Sequence, residues 1–153
     1  MSTEPTSLPY LISQLLQANW PATAEGLLPA KSSITWAFTR FEAMQDVPSG
    51  YVISCYNPGG PVTGDALSRE VWQFLEDVVV DILVPVSGAT ANVLQIREAI
   101  RQELYDILHL NQFSVPGFGG DVYPLREKEK VESPQLMRIS VIVRCRSFHI
   151  IAT

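Results

Sequence analysis

From Val71 to Val86 the sequence keeps a period of two. Trp72, Phe74, Glu76, Val78, Val80, Ile82 and Val84 fill one set of positions, and Gln73, Asp77 and Asp81 share the other with Val79 and Leu83. Successive side chains on a strand point to opposite faces, so this spacing predicts a long strand with one buried face. A helical start at Leu67, Val71 and Leu75 is the competing reading. A strand of this length requires both partner strands and an apolar cover, and the rest of the chain has candidates for each.

The covers are two amphipathic helices. Leu8, Leu11, Ile12 and Leu15 recur at three- and four-residue steps after Ser7, a possible cap, and Asn19, Trp20 and Pro21 end the run, giving a helix over about Leu8 to Ala18. Pro9 is tolerated because first-turn amides have no intrahelical partner. Beyond the breakers Ser87 and Gly88, Thr90 is a second possible cap, and Val93, Ile96, Ile100, Leu104, Ile107 and Leu108 form a second stripe. Its other face carries Arg97, Glu98, Arg101, Glu103 and Asp106 and expects water or a polar partner.

Further strands are expected on either side. Ile34, Trp36 and Phe38 alternate with Thr35, Ala37 and Thr39 in a strand reaching Met44, and Tyr51 to Tyr56 resumes strand composition after the turn residues Val47, Pro48, Ser49 and Gly50, a hairpin signal. The last strand has Ile139, Val141, Val143 and Cys145 on one side, with Arg138, Ser140, Ile142, Arg144, Arg146 and Phe148 on the other. Two segments lack periodicity. Asn57 to Asp65 (NPGGPVTGD) reads as an exposed loop, and Asn111 to Gln135 reads either as a poor hairpin or as a long loop or arm that orders on meeting a partner. The order helix, strand, strand, long strand, helix, arm, strand predicts an α+β fold, a mainly antiparallel sheet of four or more strands packed against two amphipathic helices. With 153 residues, 46% hydrophobic and 18% charged, one domain spanning 1–153 behind a flexible tail at 1–6 is expected.

Catalytic chemistry has no evident carrier. His109 and His149 lack neighbours at ligand spacing, and Cys55 and Cys145 are not at metal-ligand spacing, so neither a metal site nor a disulfide framework is expected. The glycine-rich runs lack the lysine of a phosphate-binding loop and the strand and helix of a dinucleotide fingerprint, so no cofactor is expected. Asp77 and Asp81 lie about 13 Å apart along a strand, too far to act as an acid/base pair. They are expected instead to face Arg144 or Arg146 across the sheet. Eleven basic against sixteen acidic residues leave a net charge of -5, which disfavours nucleic-acid binding over the whole surface while leaving weak phosphate contact by the three-arginine face open. No signal peptide or membrane-spanning run is read, so a soluble protein made in the cytoplasm is expected.

The N-terminal helix SLPYLISQLLQANW, the passage VWQFLEDVVVDILVPVSGATANVLQIREAIRQEL and the terminal strand LMRISVIVRCRSF together resemble the tail-terminator family of tailed viruses, also called minor tail or tail-completion proteins. The resemblance implies a non-enzymatic virion protein, assembled in the host cytoplasm and located at the tail or neck. It would form a homo-oligomeric ring, commonly a hexamer, that caps the tail tube, ends its polymerisation and offers a surface to the head–tail connector. DNA would pass through the channel without sequence-specific binding, and no membrane is involved. The candidate assembly surface comprises Asn57, Gly59, Gly60, Asp77, Asp81, Phe118, Arg126, Lys128, Lys130, Arg138, Arg144 and Arg146. Charge reversal at Arg144 and Arg146 is expected to spare the fold and impair assembly. Two alternatives are a head–tail connector of the same virion and a small ligand-binding or enzyme domain with a pocket at Asp81, Arg144 and His149.

Overall fold

A computed structural model describes residues 7–21, 34–39, 52–58, 63–85, 90–133 and 136–150. The first helix, α1, spans Leu8–Asn19. Ser7 stands at its N-cap, and the Ser7 carbonyl accepts from the Leu11 amide at 3.0 Å, yet its hydroxyl makes no capping bond. A capping hydroxyl accepts from the second or third helical amide, and Pro9 removes the second of these, leaving that of Tyr10. At the other end Asn19 Nδ2 donates to the Leu15 carbonyl at 2.9 Å. Pro21 holds Trp20 in extended backbone, φ -71° and ψ 141°, where the helix stops.

Among the described residues six strands make one sheet: β1 (Ile34–Thr39), β2 (Val52–Asn57), β3 (Thr63–Ala66), β4 (Val71–Pro85), β5 (Gly120–Ser133) and β6 (Leu136–Ile150). The order is β1-β2-β4-β6-β5, with β3 paired to β4. The second helix, α2, spans Thr90–Leu110 and starts at the expected cap residue itself. All neighbours are antiparallel except β1 and β2, and the α+β class read from sequence is the one observed.

That exception overturns the predicted hairpin between β1 and β2. Ile34 pairs Ile53, Thr35 pairs Ser54 and Trp36 pairs Cys55 in parallel, an arrangement a tight turn cannot join, because the chain must first travel back along the sheet. The turn residues 47–50, and the predicted extension of β1 to Met44, lie outside the described residues. The hairpin signal was a local one, whereas strand direction was set by what each strand packs against.

The loop expected at Asn57 to Asp65 is partly strand. β2 and β3 lie end to end along one edge of β4, in register from Val52↔Leu83 to Tyr56↔Val79 and again from Thr63↔Leu75 to Ala66↔Trp72. From Tyr56 to Thr63 the sequence takes seven steps while β4 takes four from Val79 to Leu75, so the two paired stretches are separated by an insertion relative to β4. Gly59 and Gly60 lie outside the described residues. The helical alternative at Leu67 to Leu75 is excluded: the Leu67 and Ser68 amides both donate to the Val71 carbonyl, and Ser68 Oγ accepts from the Glu70 and Val71 amides, closing a β3–β4 hairpin.

The segment expected as an arm at 111–135 holds β5 along most of its length, so the hairpin alternative is the one observed. Its alternation is hidden by register shifts between Pro124 and Arg126 and between Val131 and Ser133, each of which moves later residues to the other face. Gly120 opens the strand where only a hydrogen fits, since a Cβ there would lie 1.9 Å from the Arg146 carbonyl oxygen. Gly117, at φ 81°, sits in the left-handed region beside Leu11.

The core lies between one sheet face and the two helices. Ile53, Cys55, Val78, Val80, Ile82, Val122, Ile139, Val141, Val143 and Cys145 from the sheet meet Ile12, Leu15 and Leu16 of α1 and Ile100, Leu104, Ile107 and Leu108 of α2. Tyr10 stacks edge-on to Trp36 at 5.5 Å, and Gln17 Nε2 donates to the Ile34 carbonyl at 2.9 Å, tying α1 to β1. Ile96 of the predicted stripe packs against this cluster half-buried.

Candidate functional site: a ladder of ion pairs on the second sheet face

Unbroken antiparallel register between β4 and β6 decides which charges meet. Asp77 lies opposite Arg144, Asp81 opposite Ser140 and Leu83 opposite Arg138. β5 adds Asp121 opposite Arg146 and Tyr123 opposite Arg144. All stand on the face away from the helices, because their neighbours in sequence, Val78, Val80, Ile82, Val122, Ile139, Val141, Val143 and Cys145, are in the core.

Three carboxylate–guanidinium pairs result. Arg144 Nε and Nη2 donate to the two Asp77 oxygens at 3.0 and 3.3 Å, and Arg146 Nε and Nη2 donate to those of Asp121 at 2.9 and 2.6 Å, both in the two-point geometry that suits a planar guanidinium. Asp81, almost wholly buried, accepts from Arg138 Nη1 and, at 2.6 Å, from Ser140 Oγ. The hydrogen bond to Asp77 holds the Arg144 guanidinium above its ordinary pKa, and that to Asp121 does the same for Arg146. Arg146 also stands 5.6 Å over the Phe148 ring. Beside the ladder, Tyr56, Val79 and Ile142 form a small second apolar cluster.

These contacts specify the pairing of acids with arginines expected across the sheet. Asp77 does meet Arg144, as one of the expected pairings had it, but Asp81 meets Arg138. Each of the three arginines is engaged by a carboxylate of its own chain. Asp121 is the partner that sequence reasoning missed, since it becomes visible only once the residues after Gly120 are read as a strand. Of the remaining candidate residues, Phe118 is half-buried against the core, Asn57 Nδ2 donates to Glu76 Oε1 at 2.9 Å, and Arg126 and Lys128 are exposed on β5. Lys130 pairs with Arg138 in the strand register.

The polar face of α2 finds a polar partner. Glu127 of β5 accepts from Arg101 Nε at 2.7 Å and from the Tyr105 hydroxyl at 2.8 Å, while Glu98 takes Arg97 and Arg101. Of the residues named for the alternative pocket, Asp81 is bound to Arg138 and Ser140 and Arg144 to Asp77, and the side chain of His149 lies outside the described ones. Among the described residues no three His, Cys, Asp or Glu side chains are grouped to hold a metal ion. Burial pushes the Cys55 and Cys145 thiols far up from their ordinary pKa, and burial also raises the Glu76 carboxyl against the opposing effect of Asn57. No helix among the described residues is long and apolar enough to cross a membrane.

One solved structure comparable over nearly its whole length is a chain from the virion of a native gene transfer agent (GTA) particle. The two superpose with a TM-score of 0.54 at 19% identity, covering 92% of this chain and 93% of that one. They share a fold. No family model and no curated protein matches the chain.

Proposed function

We propose that this chain is a structural protein of a phage-like virion, working as one copy of a closed ring at the head-proximal end of the tail tube. The ring ends tube polymerisation and joins the tail to the head-side connector. The observation that carries the reading is the fold it shares, across 92% of its length, with a chain of a gene transfer agent virion. The likeness therefore involves the whole subunit and not a recurrent motif within it. The ladder of ion pairs is compatible with a role in which DNA passes nearby without being gripped, because paired guanidiniums offer phosphate little net charge. Nothing in the proposed role calls for catalysis.

Native mass spectrometry and negative-stain electron microscopy of the purified protein test the ring, with a single closed oligomer, commonly of six copies, as the expected result. Mixed with polymerising tail-tube protein, it should limit tube length and be found at one tube end. A protein monomeric at every concentration would end the ring reading. Rings that bind the portal and ignore tube ends would make it a neck connector instead.

A further inference from the structure

Two opposite edges of the sheet carry matching features. On one side β5 is the outermost strand. At its first register shift Leu125 is exposed between Pro124 and Arg126, and Lys128 follows, also exposed. Neither cation has a carboxylate partner among the described residues. On the other side the β3–β4 hairpin lies along the stretch of β4 that β2 leaves free. It exposes Leu67 and Trp72, together with Asp65, Arg69 and Glu70. Asp65 and Glu70 form no ion pair among the described residues.

We propose that these edges are the two halves of one contact between copies of this chain, the β5 edge of one copy seating Leu125, Arg126 and Lys128 against Leu67, Trp72, Asp65 and Glu70 of the next. The inference rests on the ring reading and specifies how its subunits meet. Charge selects the pairing: the β5 edge carries Arg126 and Lys128, the intervening Glu127 being engaged by Arg101 and Tyr105, and the hairpin, with Arg69 counted, is net negative. Edge-to-like-edge association would bring cations onto cations or acids onto acids, so a two-fold dimer through either edge is disfavoured and head-to-tail contact favoured. The contact is made by side chains. Pro124 has no amide to donate, and the register shift beside it disrupts the edge ladder, so continuous strand addition along β5 is blocked. Exposed apolar side chains at both edges supply area to bury, and the charges fix which surface meets which.

The test uses the full chain and two double variants, R126E/K128E and D65K/E70K, followed by analytical ultracentrifugation with circular dichroism as the folding control. All four residues are exposed and form no ion pair among the described residues, so both variants should fold and melt as the parent does. Each alone should need at least about tenfold higher concentration to assemble, because like charges then face each other. An equimolar mixture should recover assembly, since the reversed β5 edge of one variant is complementary to the reversed hairpin of the other. Parent-like assembly by either variant alone, or a mixture that stays dissociated, overturns the edge contact while leaving a ring-forming parent intact. A parent that never assembles removes the ring reading and this contact together.

Discussion

Replacing Asp81 by Asn tests whether burial sets the strength of the ion-pair ladder. The Asp81 side chain is 1% exposed and that of Arg138 12%, whereas Asp77 and Arg144 are 30% and 32% exposed. Asn keeps the shape and can still accept from Ser140 Oγ, but it takes the Asp81 carboxylate away from the largely buried Arg138 guanidinium. Removing one partner of a buried pair costs about 3–5 kcal/mol, because the remaining charge stays desolvated and unpaired. Asp77→Asn at the solvent-screened pair should cost no more than about 1 kcal/mol. Asp121→Asn belongs between them, since its carboxylate is 5% exposed and its Arg146 partner 38%. With a urea m-value of about 2 kcal/mol/M, D81N should lower the midpoint by about 2 M and D77N by at most about 0.5 M. Tryptophan fluorescence measures this, with all variants at one protein concentration because association adds to apparent stability. Asp81→Leu combined with Arg138→Met should recover most of the loss, since a well-packed apolar pair avoids the desolvation altogether. Equal costs for D81N and D77N would refute the reasoning.

Other outcomes follow from the same geometry. Ile100→Asp or Leu104→Asp puts an unpaired charge into the core and should abolish folding, read as loss of the helical circular-dichroism signal and of soluble protein. Burial raises the Glu76 carboxyl above its unfolded pKa, so the folded state binds the proton more tightly and stability falls as pH rises from the unfolded value through the folded one. Glu76→Gln should therefore melt higher than the parent at neutral pH, and the difference should vanish below the unfolded carboxylate pKa; an equal gain at acid pH would contradict this. Both cysteines are buried with thiol pKa values pushed far up, so a thiol-reactive disulfide reagent at neutral pH should label neither until urea unfolds the chain. Reversing Arg144 and Arg146 sets new carboxylates against Asp77 and Asp121. Contrary to the expectation from sequence, the double variant should lose thermal stability as well as any effect on assembly.

Local periodicity by itself determined both helices, the long β4 and the closing β6, because spacing at 3.6 or 2.0 residues records which side chains face a core wherever the repeat is unbroken. It also determined that acids and arginines share one sheet face, since Asp77 and Asp81 have the parity of the polar set on β4 and Arg138, Arg144 and Arg146 that of β6. The period failed at β5, where register shifts at Leu125 and Glu132, with Pro124 beside the first, scramble the alternation, and Asp121 was lost with it. Tertiary structure alone decided that β1 runs parallel to β2, that β3 completes the edge of β4, and which acid takes which arginine. Each depends on strand direction and register, which are set by the sum of contacts between segments distant in sequence, and no window of neighbouring residues contains that sum.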